Sequence, residues 1–215
     1  MRSLLSKKLT FFAPRYFSYS PCNMTKFIQF ANKSSPAATQ VGIVNPETGS
    51  ILNITEKYTS IESIIKNDQL HSIKLENFST KDTIVASEFN ANYEYRAPIM
   101  SPEKLLCIGK NYLDHAKEMG EGVPTEPLVF NKLPSCITHH EGDIINPKAD
   151  GNGAKLDWEG ELAVVIGKAG KHIKKENAME HVAGYTLAND VSARDWQKKR
   201  NKGQSDSWLK FVNKC

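Results

Sequence analysis

The stretch that decides the fold is Leu156 to Val165, LDWEGELAVV. Four of its last six residues are Leu, Ala or Val, which reads as a strand running into a core. Asp157, Glu159 and Glu161 sit two residues apart within it. Side chains alternate faces along a strand, so the three carboxylates would share a face, roughly 6 to 7 Å between successive positions. Like charges on one face repel unless something neutralises them, and a hard divalent cation takes carboxylate oxygens. A solvated polar edge explains the spacing equally well.

A second stretch, Gly184 to Gln197, reads GYTLANDVSARDWQ. Tyr185 to Leu187 is strand-like and Asp190 follows its end. Asp190 could therefore close a carboxylate site with Glu159 and Glu161. Ser192, with Asp195 three residues on, reads as the start of a helix. Arg194 and Gln197, three apart, would share a face of its first turn, suited to an anionic group.

DWEGELAVVIGK followed by HVAGYTLANDVSARDWQ resembles the fumarylacetoacetate hydrolase family, with its mitochondrial branch the nearest in pattern. The resemblance runs from about Leu105 to Gln204 and more weakly back to about Thr39. It implies an α+β fold, a mixed sheet rolled into a barrel with few helices, preceded by a small α/β module. It also implies hydrolysis, decarboxylation or tautomerisation of small oxo-acids, acylpyruvate- or oxaloacetate-like. These reactions would pass through an enolate stabilised by Mg²⁺ (or Mn²⁺ or Ca²⁺) on Glu159, Glu161 and Asp190, with Asp157 outside the ligand set. Arg194 and Gln197 would hold the substrate carboxylate, and whole relatives are expected to be homodimers.

Earlier in the chain, SPEKLLCIGKNYLDHAKEMG reads strand, turn, helix, with the strand at Leu105–Ile108 and the helix at Tyr112–Met119. His115 and Glu118 meet on one helical face, where a carboxylate raises the basicity of the imidazole. Taken alone, such a pair is ordinarily a surface ion pair. The resemblance makes it the pair that activates water or shuttles a proton. Lys110 lies beside it as a substrate-binding candidate. LVFNK ahead of Leu133 is another strand, with Lys132 at its end. His139-His140 reads as a polar loop, because neighbours on a strand face apart.

The 215 residues carry 28 Lys or Arg and 24 Asp or Glu. The first 46 hold six of the bases and no acid, so the remainder is net −2. That excludes an electrostatic case for nucleic acid. No apolar run approaches the roughly 18 residues of a membrane span. Cys22, Cys107, Cys136 and Cys215 show no paired spacing and read as reduced thiols. Met1–Ser20 is basic, acid-free and Ser-rich, the composition of a mitochondrial transit peptide, with import to the matrix and cleavage ahead of Ser18 expected.

Gln40–Thr55 reads as a hairpin turning at Pro46–Gly49. Thr59–Leu70 reads as a helix with a Thr59/Glu62 capping box and Ile61, Ile64 and Ile65 inward. Lys171–Val182 reads as a basic amphipathic helix. The domain division expected is a transit peptide at 1–20, a small module at 39–100, a partial catalytic domain at 101–204 and a divergent tail at 205–215. Beyond about Gln204 the family pattern stops, including the segment that supplies a further lysine. The expectation is a C-terminally truncated member. The rival reading is an inactive fragment that binds only metal or a partner subunit.

Overall fold

The computed structural model describes residues 17–19, 25–114, 124–146 and 155–194. Strand β1 is Phe17–Tyr19, β2 Thr25–Asn32, β3 Ser35–Val44 and β4 Ile51–Asn53. Helix α1 follows at Ile61–Lys66, then β5 at Thr83–Ile84, α2 at Ala86–Asn92 and β6 at Tyr93–Arg96. The second half adds β7 Leu105–Gly109, β8 Leu128–Lys132, β9 Leu156–Asp157, β10 Gly160–Ile166, β11 Val182–Asn189 and β12 Ser192–Ala193. The architecture is α+β, strand-rich with few helices, and no described helix is long and apolar enough to cross a membrane.

The main sheet runs β10-β11-β1-β2-β3-β4-β5, with β6 also on β2. Among the described residues it is an open path, with no closure into a barrel. All the described pairs are antiparallel. Two small sheets stand beside it, β7-β8 and β12-β9. Strand β1 lies between β2 and β11, with Ser18 opposite both Lys26 and Tyr185. Cleavage ahead of Ser18 would leave Ser18 and Tyr19 of this strand in place. Residues 1–16 and 20 of the expected transit peptide lie outside the described residues.

Strand β2 buries both faces because KFIQFA has no exposed position to spend on alternation. On one face Phe27 packs with Val41, Ile43, Leu52, Ile61, Ile64 and Ala183. On the other, Ile28 and Phe30 pack with Val44, Ile51, Ile84 and Phe89. Gly42 lies on this second face, where an added Cβ would stand 2.6 Å from Ile51 Cγ2 and 3.1 Å from Phe30 Cε1. Gln29 is buried among apolar groups, yet its polar atoms are paired. Its Nε2 donates to the carbonyls of Ala97 and Pro98 at 3.1 Å, and its Oε1 accepts from Ile61 N–H at 3.3 Å. A buried amide is tolerable only when so satisfied.

The expected hairpin is present as β3 and β4, with Gly49 at φ 69° in the turn. The expected helix is shorter than read, Ile61–Lys66 instead of Thr59–Leu70, and its capping box is Ser60/Ser63, not Thr59/Glu62. Ser60 Oγ accepts from Ser63 N–H at 2.9 Å and Ser63 Oγ accepts from Ser60 N–H at 3.2 Å. Burial of Ile61 and Ile64 fixes the helix phase, so the cap falls on Ser60. Glu62 instead accepts from the N–H of Met100 and Ser101, tethering the connector after β6. Ser60→Ala should therefore cost about 1 kcal/mol in chemical denaturation and Thr59→Ala only a few tenths. Equal losses would contradict this cap. The helix expected over Lys171–Val182 is a 3₁₀ run, Lys175–His181, with no buried residue. Without an apolar stripe to pack, a basic segment has little to hold a longer helix.

Candidate active site

LDWEGELAVV is not one strand. It breaks after Asp157 and resumes at Gly160, because its two halves have different partners. Asp157 and Leu156 pair with Ser192 and Ala193, while Gly160 to Ile166 pairs with β11. The alternation that would put Asp157, Glu159 and Glu161 on one strand face therefore does not run through Trp158-Glu159. Along β10, Glu161 shares the half-buried face with Ala163 and Val165, and Leu162, Val164 and Ile166 point outward. Glu159 lies in the break and Asp157 on the exposed side of β9.

The second motif breaks in the same way, and the two breaks meet. Asp190 follows β11 directly, as read from the sequence. Its N–H donates to the carbonyl of Glu159 at 2.8 Å, and Glu159 N–H donates to Asn189 Oδ1 at 3.2 Å. Ser192 is part of β12, buried, with its hydroxyl on the Asp190 carbonyl at 3.4 Å, and the helix begins at Arg194; Asp195, the expected capping partner, lies outside the described residues. Arg194 follows β12, and its N–H is fixed by the Lys155 carbonyl at 2.9 Å.

Two cations hold the acidic groups at this junction. Arg194 Nε donates to Asp157 Oδ2 at 2.9 Å, and its terminal nitrogen pairs with Glu159 Oε1. Partial burial works against the guanidinium charge. The hydrogen bond to Asp157 and the negative charge of Glu159 outweigh it and hold the Arg194 pKa above its ordinary value. Lys132, at the inner end of β8, pairs with Asp190 Oδ1, and its ammonium donates to the Val191 carbonyl at 3.2 Å. The side chains of Lys132 and Asp190 are 3% and 11% exposed, so this pair is largely removed from water. Asp190 Oδ1 is itself buried and, despite the ion pair, takes no hydrogen bond of good geometry.

Of the residues read from the sequence, Glu159, Asp190 and Arg194 are brought together here, with Glu161 two positions on in β10. Lys110 follows β7 in a turn at φ 55°, a left-handed conformation costly for a residue with a Cβ. His115, Glu118 and Gln197 lie outside the described residues. His139 and His140 sit in a loop, as expected, with His139 Nδ1 3.0 Å from the His140 carbonyl. From the sequence Lys132 is only a strand end, and Asp157 lies outside the expected ligand set. The signal for Lys132 was a lone base closing an apolar strand, which must find a carboxylate or solvent.

The donor chemistry at the junction suits a hard divalent cation. It is all oxygen and anionic, and Asp190 contributes a buried carboxylate whose Oδ1 is held, among the described residues, by the Lys132 ammonium alone. Among the described residues, no three Asp, Glu, His or Cys side chains already surround one point. Glu159 and Asp190 are turned to Arg194 and Lys132.

Residues 104–215 match the fumarylacetoacetate hydrolase C-terminal domain model. The mitochondrial oxaloacetate tautomerase of Xenopus laevis is 39% identical over 201 residues, covering 91% of this chain and 60% of the relative. A fumarylacetoacetate hydrolase from Exiguobacterium antarcticum superposes with a TM-score of 0.64 at 29% identity, covering 88% of this chain and 63% of that one. A 5-carboxymethyl-2-hydroxymuconate delta-isomerase from Mycobacterium smegmatis gives 0.58 at 27% identity, covering 87% and 61%. The chain belongs to the fumarylacetoacetate hydrolase family. It spans about 60% of the length of the Xenopus relative.

Proposed function

We propose that this chain acts on small oxo-acids, as a tautomerase of oxaloacetate-like substrates or a hydrolase of acylpyruvate-like ones, with Mg²⁺ or Mn²⁺ held by Glu159, Glu161 and Asp190. The observation that carries the reading is the meeting of Glu159, Asp190 and Arg194 where the two interrupted strands cross-bond. When bound, a divalent cation supplies charge for an oxygen that becomes negative in enolisation. Arg194 offers a planar fork for a carboxylate, and Gln197 would assist it. His115, oriented by Glu118, would move the proton or activate water. The relatives named a tautomerase, a hydrolase and an isomerase share a need to stabilise developing charge beside a carbonyl. By the same reading the open sheet belongs to one rolled towards a barrel, the protein works in the mitochondrial matrix, and whole members pair as homodimers.

The test is decay of enol-oxaloacetate, followed by ultraviolet absorbance with the purified chain. Turnover is expected with Mg²⁺ or Mn²⁺, with loss of at least about 100-fold on chelation and recovery on metal return. Turnover indifferent to chelation would overturn the metal assignment, and cleavage of acylpyruvates alone would move the substrate class. A second reading, a non-catalytic binder of metal or a partner subunit, draws on the outward aliphatic row Leu162, Val164 and Ile166 on β10. Metal binding without turnover of either substrate class would favour it.

A further inference from the structure

We propose that Glu159 is shared in turn by Arg194 and the divalent cation, so that loading the site releases one arm of the Arg194 guanidinium for an anionic substrate. This rests on the metal assignment above and adds an order of events to it. Arg194 spans two carboxylates, Asp157 through Nε and Glu159 through its terminal nitrogen. Of these, Glu159 belongs to the proposed ligand set and Asp157 does not. A carboxylate oxygen that serves a divalent ion loses most of its value to a neighbouring guanidinium, because two positive charges then face each other.

The backbone leaves Arg194 where it is. Its N–H is fixed on the Lys155 carbonyl, and Asp157 is held opposite Ser192 in the β9-β12 pair. The guanidinium would therefore keep its Nε bond to Asp157 at 2.9 Å while the arm now on Glu159 comes free. Asp157 is thus a positioning residue. It parks the arginine beside the site and does not touch the ion. An empty site is neutralised by the chain's own cation, and a loaded one exposes a fork that matches a carboxylate bidentately. The ion would accordingly bind before the anion.

Two measurements on the whole chain test this. Mn²⁺ binding, read by electron paramagnetic resonance of the free ion, should be tighter in Arg194→Gln than in wild type by roughly threefold, because a competing cation is gone. Unchanged or weaker binding would overturn the exchange and leave the metal assignment standing. The second measurement reads wild type, with a charge-conserving variant used only for assignment. In ¹⁵N-labelled wild type, the terminal Nη–H resonance of Arg194, assigned by its loss in Arg194→Lys, should shift as Mg²⁺ saturates, because that arm is the one on Glu159. A resonance unmoved at saturating Mg²⁺ would also overturn the exchange. Failure of wild type to bind Mn²⁺ at all would sink the metal assignment, and the exchange with it.

Discussion

Phe30→Ala is expected to destabilise the chain by about 3 to 5 kcal/mol, seen as a fall in the denaturation midpoint. Phe30 is fully buried in β2, a strand that hydrogen-bonds to β1, β3 and β6. Its ring meets Phe89 and Tyr93 edge-on, each at 5.5 Å, and Phe89 in turn stacks on Tyr93 at 5.6 Å with planes 15° apart. Truncation removes transfer energy, leaves a cavity against Gly42, and takes away edge-to-face contacts worth about 0.5 to 1.5 kcal/mol each. Total stability is ordinarily about 5 to 15 kcal/mol, so the loss is a large part of it. Phe30→Leu should recover more than half, since volume returns without the aromatic geometry. A loss under about 1 kcal/mol for the alanine variant would show that this face is not the core that holds the sheet.

The sequence disclosed this core more readily than it disclosed the site. That holds for Val41 and Ile43 in the hairpin and for Ile61 and Ile64 in the helix, whose apolar spacing reports burial, but not for β2, whose Phe27, Ile28 and Phe30 lie ahead of the module read from the sequence. Strand ends were legible where punctuation was strong, as at Gly49 and at Asp190. Periodicity misled where a strand changes partner. LDWEGELAVV alternates well enough to read as continuous, yet residues 156–157 and 160–166 join different sheets. Partner choice is set by long-range pairing, which local alternation does not encode. Ser192 has a second role for a related reason: the helix signal read there does not show that Ser192 also pairs across to β9. The site's acids, by contrast, were legible as residues, because charge next to a buried strand is costly enough to demand an explanation. Their present counter-ions were not. Lys132 comes from a strand 58 positions before Asp190, and nothing local links the two.

That pair carries the other large expectation. Lys132→Met should destabilise the chain by about 3 to 5 kcal/mol, because it leaves the Asp190 carboxylate mostly buried without its cation. Asp190→Leu should cost a similar amount, since it strands the ammonium of a side chain that is 3% exposed. The energy lies in the orphaned charge more than in the pair itself, for desolvation offsets most of the attraction between buried ions. The double variant Lys132→Met/Asp190→Leu should therefore be more stable than either single one, by at least about 1 kcal/mol. Additive losses would show that Lys132 and Asp190 act separately. The pair also joins the two small sheets to the end of β11, because Lys132 ends β8 and donates to the Val191 carbonyl. A conservative Lys132→Arg should keep the charge but not the fit, as a planar fork replaces a compact ammonium in a closed space. Its stability should fall between wild type and Lys132→Met. If the double variant regains stability yet no longer binds Mn²⁺, then Asp190 is kept charged and buried for the site and not for the fold.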